Sequence, residues 1–72
     1  MKLKELRPVV AKGVTLWVQD KNEKCLESNE VEYLSNKYDD CEIAMIYNDC
    51  YPALSSRGIT VELKEGVEEL DR

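Results

Sequence analysis

Cys41-Glu42-Ile43-Ala44-Met45-Ile46-Tyr47 carries the strongest strand pattern in the chain. In an extended backbone Cys41, Ile43, Met45 and Tyr47 fall on one face and Ala44 and Ile46 on the other, so both faces are largely apolar. Such a strand is expected at the centre of a sheet, covered on one side by a helix and on the other by another subunit.

On its C-terminal side, residues 48–58 are turn formers and polar aromatics closed by Gly58. Ile59, Val61 and Leu63 then alternate with Thr60, Glu62 and Lys64, the period-two signature of a further strand. Residues 65–72 hold Gly66 and only the weak apolar pair Val67 and Leu70, and read as an acidic, flexible tail. On the N-terminal side, Asn29 followed by Glu32 has capping-box spacing, and Val31, Leu34 and Tyr38 share one helical stripe. That spacing predicts a short helix ending near Asp39-Asp40. Further back, Val14, Leu16 and Val18 alternate with Thr15, Trp17 and Gln19, and Asp20-Lys21-Asn22-Glu23 supplies a turn. Residues 24–28 return as a weaker hairpin strand, with Trp17 on the outer face, either packed under a helix or exposed as an interface anchor. At the start, Leu3, Leu6 and Val9 or Val10 mark one face of a short helix. Pro8 disturbs it and Gly13 closes it. The expected fold is α+β: a small, mainly antiparallel sheet of three to five strands with one or two short helices, in a single domain over residues 1–64.

A chain of 72 residues buries only about 60% of the surface its unfolded form exposes. Domains of this size usually need a disulfide, a metal or association with another chain. The apolar fraction of 43% and charged fraction of 35% are those of a folding chain. Cys25, Cys41 and Cys50 are odd in number, form no C-x-x-C pair, and have no histidine beside them, so neither disulfides nor zinc is expected. Reduced thiols, the lack of a membrane-spanning apolar run and a start without a secretory pattern point to a cytoplasmic protein. Self-association is the remaining staple. The net charge of −5 is uneven: residues 65–72 carry four acids and one base, and residues 20–40 seven acids against three bases. Such an acidic balance disfavours direct nucleic-acid binding.

The residues that enzyme chemistry asks for are scarce. Without histidine, serine or cysteine lacks its commonest activating base, and at Cys50 the neighbouring Asp49 opposes the thiolate that Arg57 would favour. The carboxylate pairs Asp39-Asp40 and Glu68-Glu69 sit in polar segments, and Asp39, Asp40 and Glu42 miss calcium-loop spacing. No phosphate-binding or dinucleotide-binding glycine pattern is present, so no catalytic residue and no cofactor is assigned. The candidate binding residues are Tyr47, Asn48, Tyr51, Ser55, Ser56 and Arg57, together with Trp17. Tyrosine, tryptophan and arginine combine contact area with hydrogen bonding, and the serines and guanidinium suit an anionic group. The same loop also reads as a plain connection whose tyrosines cover a sheet edge.

The order Leu3-Lys4-Glu5-Leu6-Arg7-Pro8-Val9-Val10, then Trp17-Val18-Gln19-Asp20, the short helix, and Ile59-Thr60-Val61-Glu62-Leu63, resembles uncharacterised small proteins of phages and mobile elements in Gram-positive bacteria. The resemblance spans residues 3–64 and implies a setting in which small binders block or sequester host components, anti-defence inhibitors among them. It brings no assigned catalytic residue. The leading expectation is a non-enzymatic protein that binds and inhibits a host protein, an acidic nucleic-acid mimic being one subtype. Two alternatives stand beside it: a homo-oligomer trapping a small nucleotide-like anion between subunits, and a structural subunit of a larger assembly.

Overall fold

A computed structural model describes residues 1–47 and 58–66. It contains a helix α1 (Leu3–Leu6) and strands β1 (Thr15–Gln19), β2 (Cys25–Glu30), β3 (Ile43–Tyr47) and β4 (Gly58–Leu63). The four strands form one sheet in the order β2-β1-β4-β3. The β1/β2 and β3/β4 pairs are antiparallel and the central β1/β4 pair is parallel. The chain is thus a small α+β fold with a mixed, mainly antiparallel sheet.

Central position explains the core. Strands β1 and β4 have a neighbour on each side, and Leu16, Val18, Val61 and Leu63 are fully buried on their shared face. Leu3 and Leu6 of α1, together with Val31, Leu34 and Ile43, cover that face. Burying one such aliphatic side chain contributes about 1.5–3 kcal/mol. Helix α1 is short because Arg7-Pro8-Val9 tightens into a 3-10 turn, in which Pro8 occupies an early position that needs no donor. The Glu5 carboxylate accepts the Lys2 N–H at 2.8 Å, and the Glu5 N–H donates to the Lys2 carbonyl. The apolar stripe continues through Val10, which packs on the core, whereas Val9 is 75% exposed. Gly13 sits at φ +87°, a left-handed position that closes the segment as expected.

The hairpin turn rests on Asp20. Its buried carboxylate accepts the N–H groups of Asn22 at 2.8 Å and Lys24 at 2.9 Å, and its main chain bonds to Lys24 and Glu23. Glu23 adopts φ +66°, the left-handed residue that commonly completes a turn of this length.

Two expectations are corrected. The helix expected after Asn29 does not form: Asn29 and Glu30 stay in β2, and only Val31–Tyr33 makes a single 3-10 turn. The supposed capping residues find other partners, since Asn29 accepts its neighbour's N–H and Glu32 accepts the Gly13 N–H at 3.0 Å. Val31 and Leu34 are buried and Tyr38 packs, half-buried, against the core they belong to, so their spacing records burial without a helix. Carbonyls that a helix would satisfy are met by Arg7, which donates to Ser35 O at 2.5 Å and Leu34 O at 2.6 Å and pairs with Asp39 at 2.9 Å.

The second correction concerns β3, which is an edge strand. Only Ile43 is buried; Met45, Ile46 and Tyr47 are 51%, 44% and 37% exposed. A register shift between Ile43 and Met45 breaks the alternation. Ile43 and Ile46 therefore lie opposite Leu63 and Val61 on the core side, and Met45 and Tyr47 opposite Glu62 and Thr60 on the other.

Candidate functional site

The sheet's second face gathers the side chains with recognition chemistry. Cross-strand register places Ser28 of β2, Trp17 of β1, Thr60 of β4 and Tyr47 of β3 in one row. With strands about 4.8 Å apart, Trp17 and Tyr47 stand roughly 10 Å apart with Thr60 between them. The adjacent row holds Gln19, Glu62 and Met45. Among the described residues, no helix or strand is stacked on this face. Thr60 and Gln19 are buried, Trp17 is half-buried and Tyr47 and Met45 are exposed.

Glu62 ties this face together. Its Oε1 accepts Gln19 Nε2 at 3.1 Å and, more distantly, the Tyr47 hydroxyl at 3.5 Å. The Tyr47 phenol is pushed above its ordinary value, first by loss of water contact and then by the nearby Glu62 and Glu23 carboxylates. It stays a neutral hydrogen-bonding group throughout the physiological range. The opposite end of β3 has another electrostatic character. There the Glu42 carboxyl is held below its ordinary range by the Met1 amino group at 3.2 Å, with Lys64 and Lys2 adding to the effect.

Of the residues expected to bind, Trp17 and Tyr47 are brought into one row, while Asn48, Tyr51, Ser55, Ser56 and Arg57 lie outside the described residues. Thr60, Gln19, Glu62 and Met45 join the site without having been singled out. The alternation of Gln19, Thr60 and Glu62 already marked an outer face; what placed Thr60 and Glu62 beside Trp17 is the parallel pairing of two strands some forty residues apart, and what placed Met45 there is the register shift after Ile43. The two described thiols are poorly suited to nucleophilic chemistry. Burial pushes both Cys25 and Cys41 above the ordinary thiol value, with the Glu65 and Asp40 carboxylates adding at Cys41. Both are therefore weak sources of thiolate near neutral pH. Among the described residues no three Cys, Asp or Glu side chains converge as metal ligands, and no helix is long and apolar enough to cross a membrane.

Neither protein-family models nor curated proteins nor solved structures match this chain.

Proposed function

We propose that the chain is a non-enzymatic binding protein that engages a host protein through the second face of its sheet, in the cytoplasm of a bacterial host. The phage-type accessory or anti-defence role belongs to this proposal, and the resemblance of residues 3–64 is what supports it. The observation that carries the binding reading is the row Trp17, Thr60, Tyr47, flanked by exposed Met45. Aromatic and methionine side chains over satisfied polar groups are the composition of interface centres, where a few anchors carry most of the affinity. Sequestration of a small nucleotide-like anion draws on Tyr51, Ser55, Ser56 and Arg57, which the described face does not include.

Trp17 is the sole tryptophan, so its fluorescence reports directly on this face. Titration with the bound host protein is expected to shift its emission to the blue. Trp17→Ala should weaken the complex about 30-fold or more, the equivalent of about 2 kcal/mol for a buried anchor. An affinity unchanged by both Trp17→Ala and Met45→Ala, in variants with native circular dichroism, rules this face out as the binding site. Thermal stabilisation by free nucleotides, with no protein partner present, supports sequestration instead.

A further inference from the structure

We infer, resting on the host-protein reading, that the partner presents an arginine side chain to this face, its guanidinium paired with the Glu62 carboxylate and lying against the Tyr47 ring.

Register sets Glu62 between Gln19 of β1 and Met45 of β3. Glu62 is half-buried, yet its carboxylate is only partly used. Oε1 accepts Gln19 Nε2 at 3.1 Å and the distant Tyr47 hydroxyl at 3.5 Å, whereas Oε2 accepts no hydrogen bond among the described residues. The described cations pair elsewhere, Lys4 with Asp40, Arg7 with Asp39 and the Met1 amino group with Glu42. A carboxylate drawn partly out of water and left without a cation gains from a partner that brings both charge and hydrogen-bond donors.

The charges around Tyr47 agree in sign. The groups that act on its hydroxyl are the Glu62 and Glu23 carboxylates, and no cation acts there against them. Lys64, two residues beyond Glu62, acts with Lys2 and the Met1 amino group on Glu42, just before β3. The cations at this end of the sheet therefore gather at Glu42, and the carboxylates stand beside the exposed ring. Arginine fits that setting better than lysine. Its planar fork of donors meets Oε2 and the remaining lone pair of Oε1 together, and its weak hydration lets the plane rest on an aromatic face. Tyr47 is exposed to take it, with the exposed Met45 thioether alongside. An ammonium keeps the attraction between charges but loses the planar contacts. The net charge of −5 favours the approach of a basic surface.

Titration of the labelled protein with the peptide acetyl-Gly-Arg-Gly-amide, followed by NMR, tests the pairing, with the matching lysine and citrulline peptides at equal ionic strength. The arginine peptide is expected to shift the Gln19 side-chain amide and the Tyr47 ring, with a dissociation constant on the order of 10 mM for so small a contact. Lysine should bind more weakly, and uncharged citrulline should leave both signals in place. Glu62→Gln removes the charge while keeping an acceptor for Gln19, and should abolish the shifts. Tyr47→Leu, at an exposed position, should weaken the arginine peptide more than the lysine one, and keeps the test valid if Glu62→Gln perturbs folding. Lys64→Ala should tighten binding and Glu23→Gln loosen it. Equal shifts from lysine or citrulline, or shifts that survive Glu62→Gln with native circular dichroism, overturn the inference. So does a protein unmoved at about 100 mM arginine peptide, ten times the expected constant. A face silent to the peptide whose Trp17 emission still responds to a host protein removes the arginine and leaves the proposed function standing.

Discussion

Arg7 concentrates more tertiary structure in one side chain than any other residue near the chain's start. Its guanidinium joins the 3-10 turn after α1 to two carbonyls and one carboxylate in the segment before β3. Planar, forked donors suit that arrangement; a lysine ammonium reaches it as a single point charge. Arg7→Ala is expected to cost about 2 kcal/mol, the scale of charged hydrogen bonds whose half-buried partners are left unpaired. Arg7→Lys should recover no more than half, and urea denaturation of the three proteins checks both. None of this is legible locally, because the partners stand 27 to 32 residues further along the chain. Asp20 is the opposite case. Its turn-forming role was readable from Asp20-Lys21-Asn22-Glu23, since an aspartate beginning a turn accepts N–H groups two and four residues on.

Elements followed the sequence wherever one local pattern had no competitor. Strands β1 and β4 lie where alternation placed them; Leu16, Val18, Val61 and Leu63 of the residues expected inside are fully buried, Val14 and Ile59 are half-buried, and Gln19 and Thr60 of the other face are buried as well. Residues 29–38 failed because capping-box spacing and a 3.6-residue stripe were both present, yet β2 continued through Glu30 to complete its ladder with β1. A mutation separates the two roles of Asn29. As a helix cap, its replacement by alanine costs about 1 kcal/mol. As an exposed strand residue bonding only its neighbour's N–H, Asn29→Ala is expected to change stability by less than about 0.5 kcal/mol in the same urea assay. Strand β3 failed for a different reason. Its two apolar faces predict cover on both sides, but the bulge after Ile43 redistributes them, and the strand sits at the sheet's edge.

At the scale of the whole molecule, ion pairs staple the N-terminal segment to the residues that lead into β3. The Met1 amino group meets Glu42, Lys4 meets Asp40 and Arg7 meets Asp39. Asp40 is held below its ordinary value by Lys4, Glu42 by the Met1 amino group, and Glu32 by the Gly13 N–H. A depressed carboxyl contributes stability that is full above its unfolded pKa and is lost as pH falls through the lower, folded one. Unfolded values near 4.5 for glutamate and 3.8 for aspartate set the window. The melting temperature is therefore expected to be level near pH 6 and to fall below about pH 4.5. All three groups are exposed, so added salt should shrink the effect. A melting temperature unchanged between pH 6 and pH 3 at low salt contradicts this account. By itself the sequence determined the α+β class, strands β1 and β4 with their inward residues, the Asp20 turn and the short first helix, because each depends on neighbours within a few positions. Only the tertiary structure decided that β1 and β4 run parallel at the centre, that β3 lies at the edge, and that Trp17 and Tyr47 share a row across Thr60. Those arrangements depend on which distant strands pair and in what register, and the local period of a strand is the same for every partner it might find.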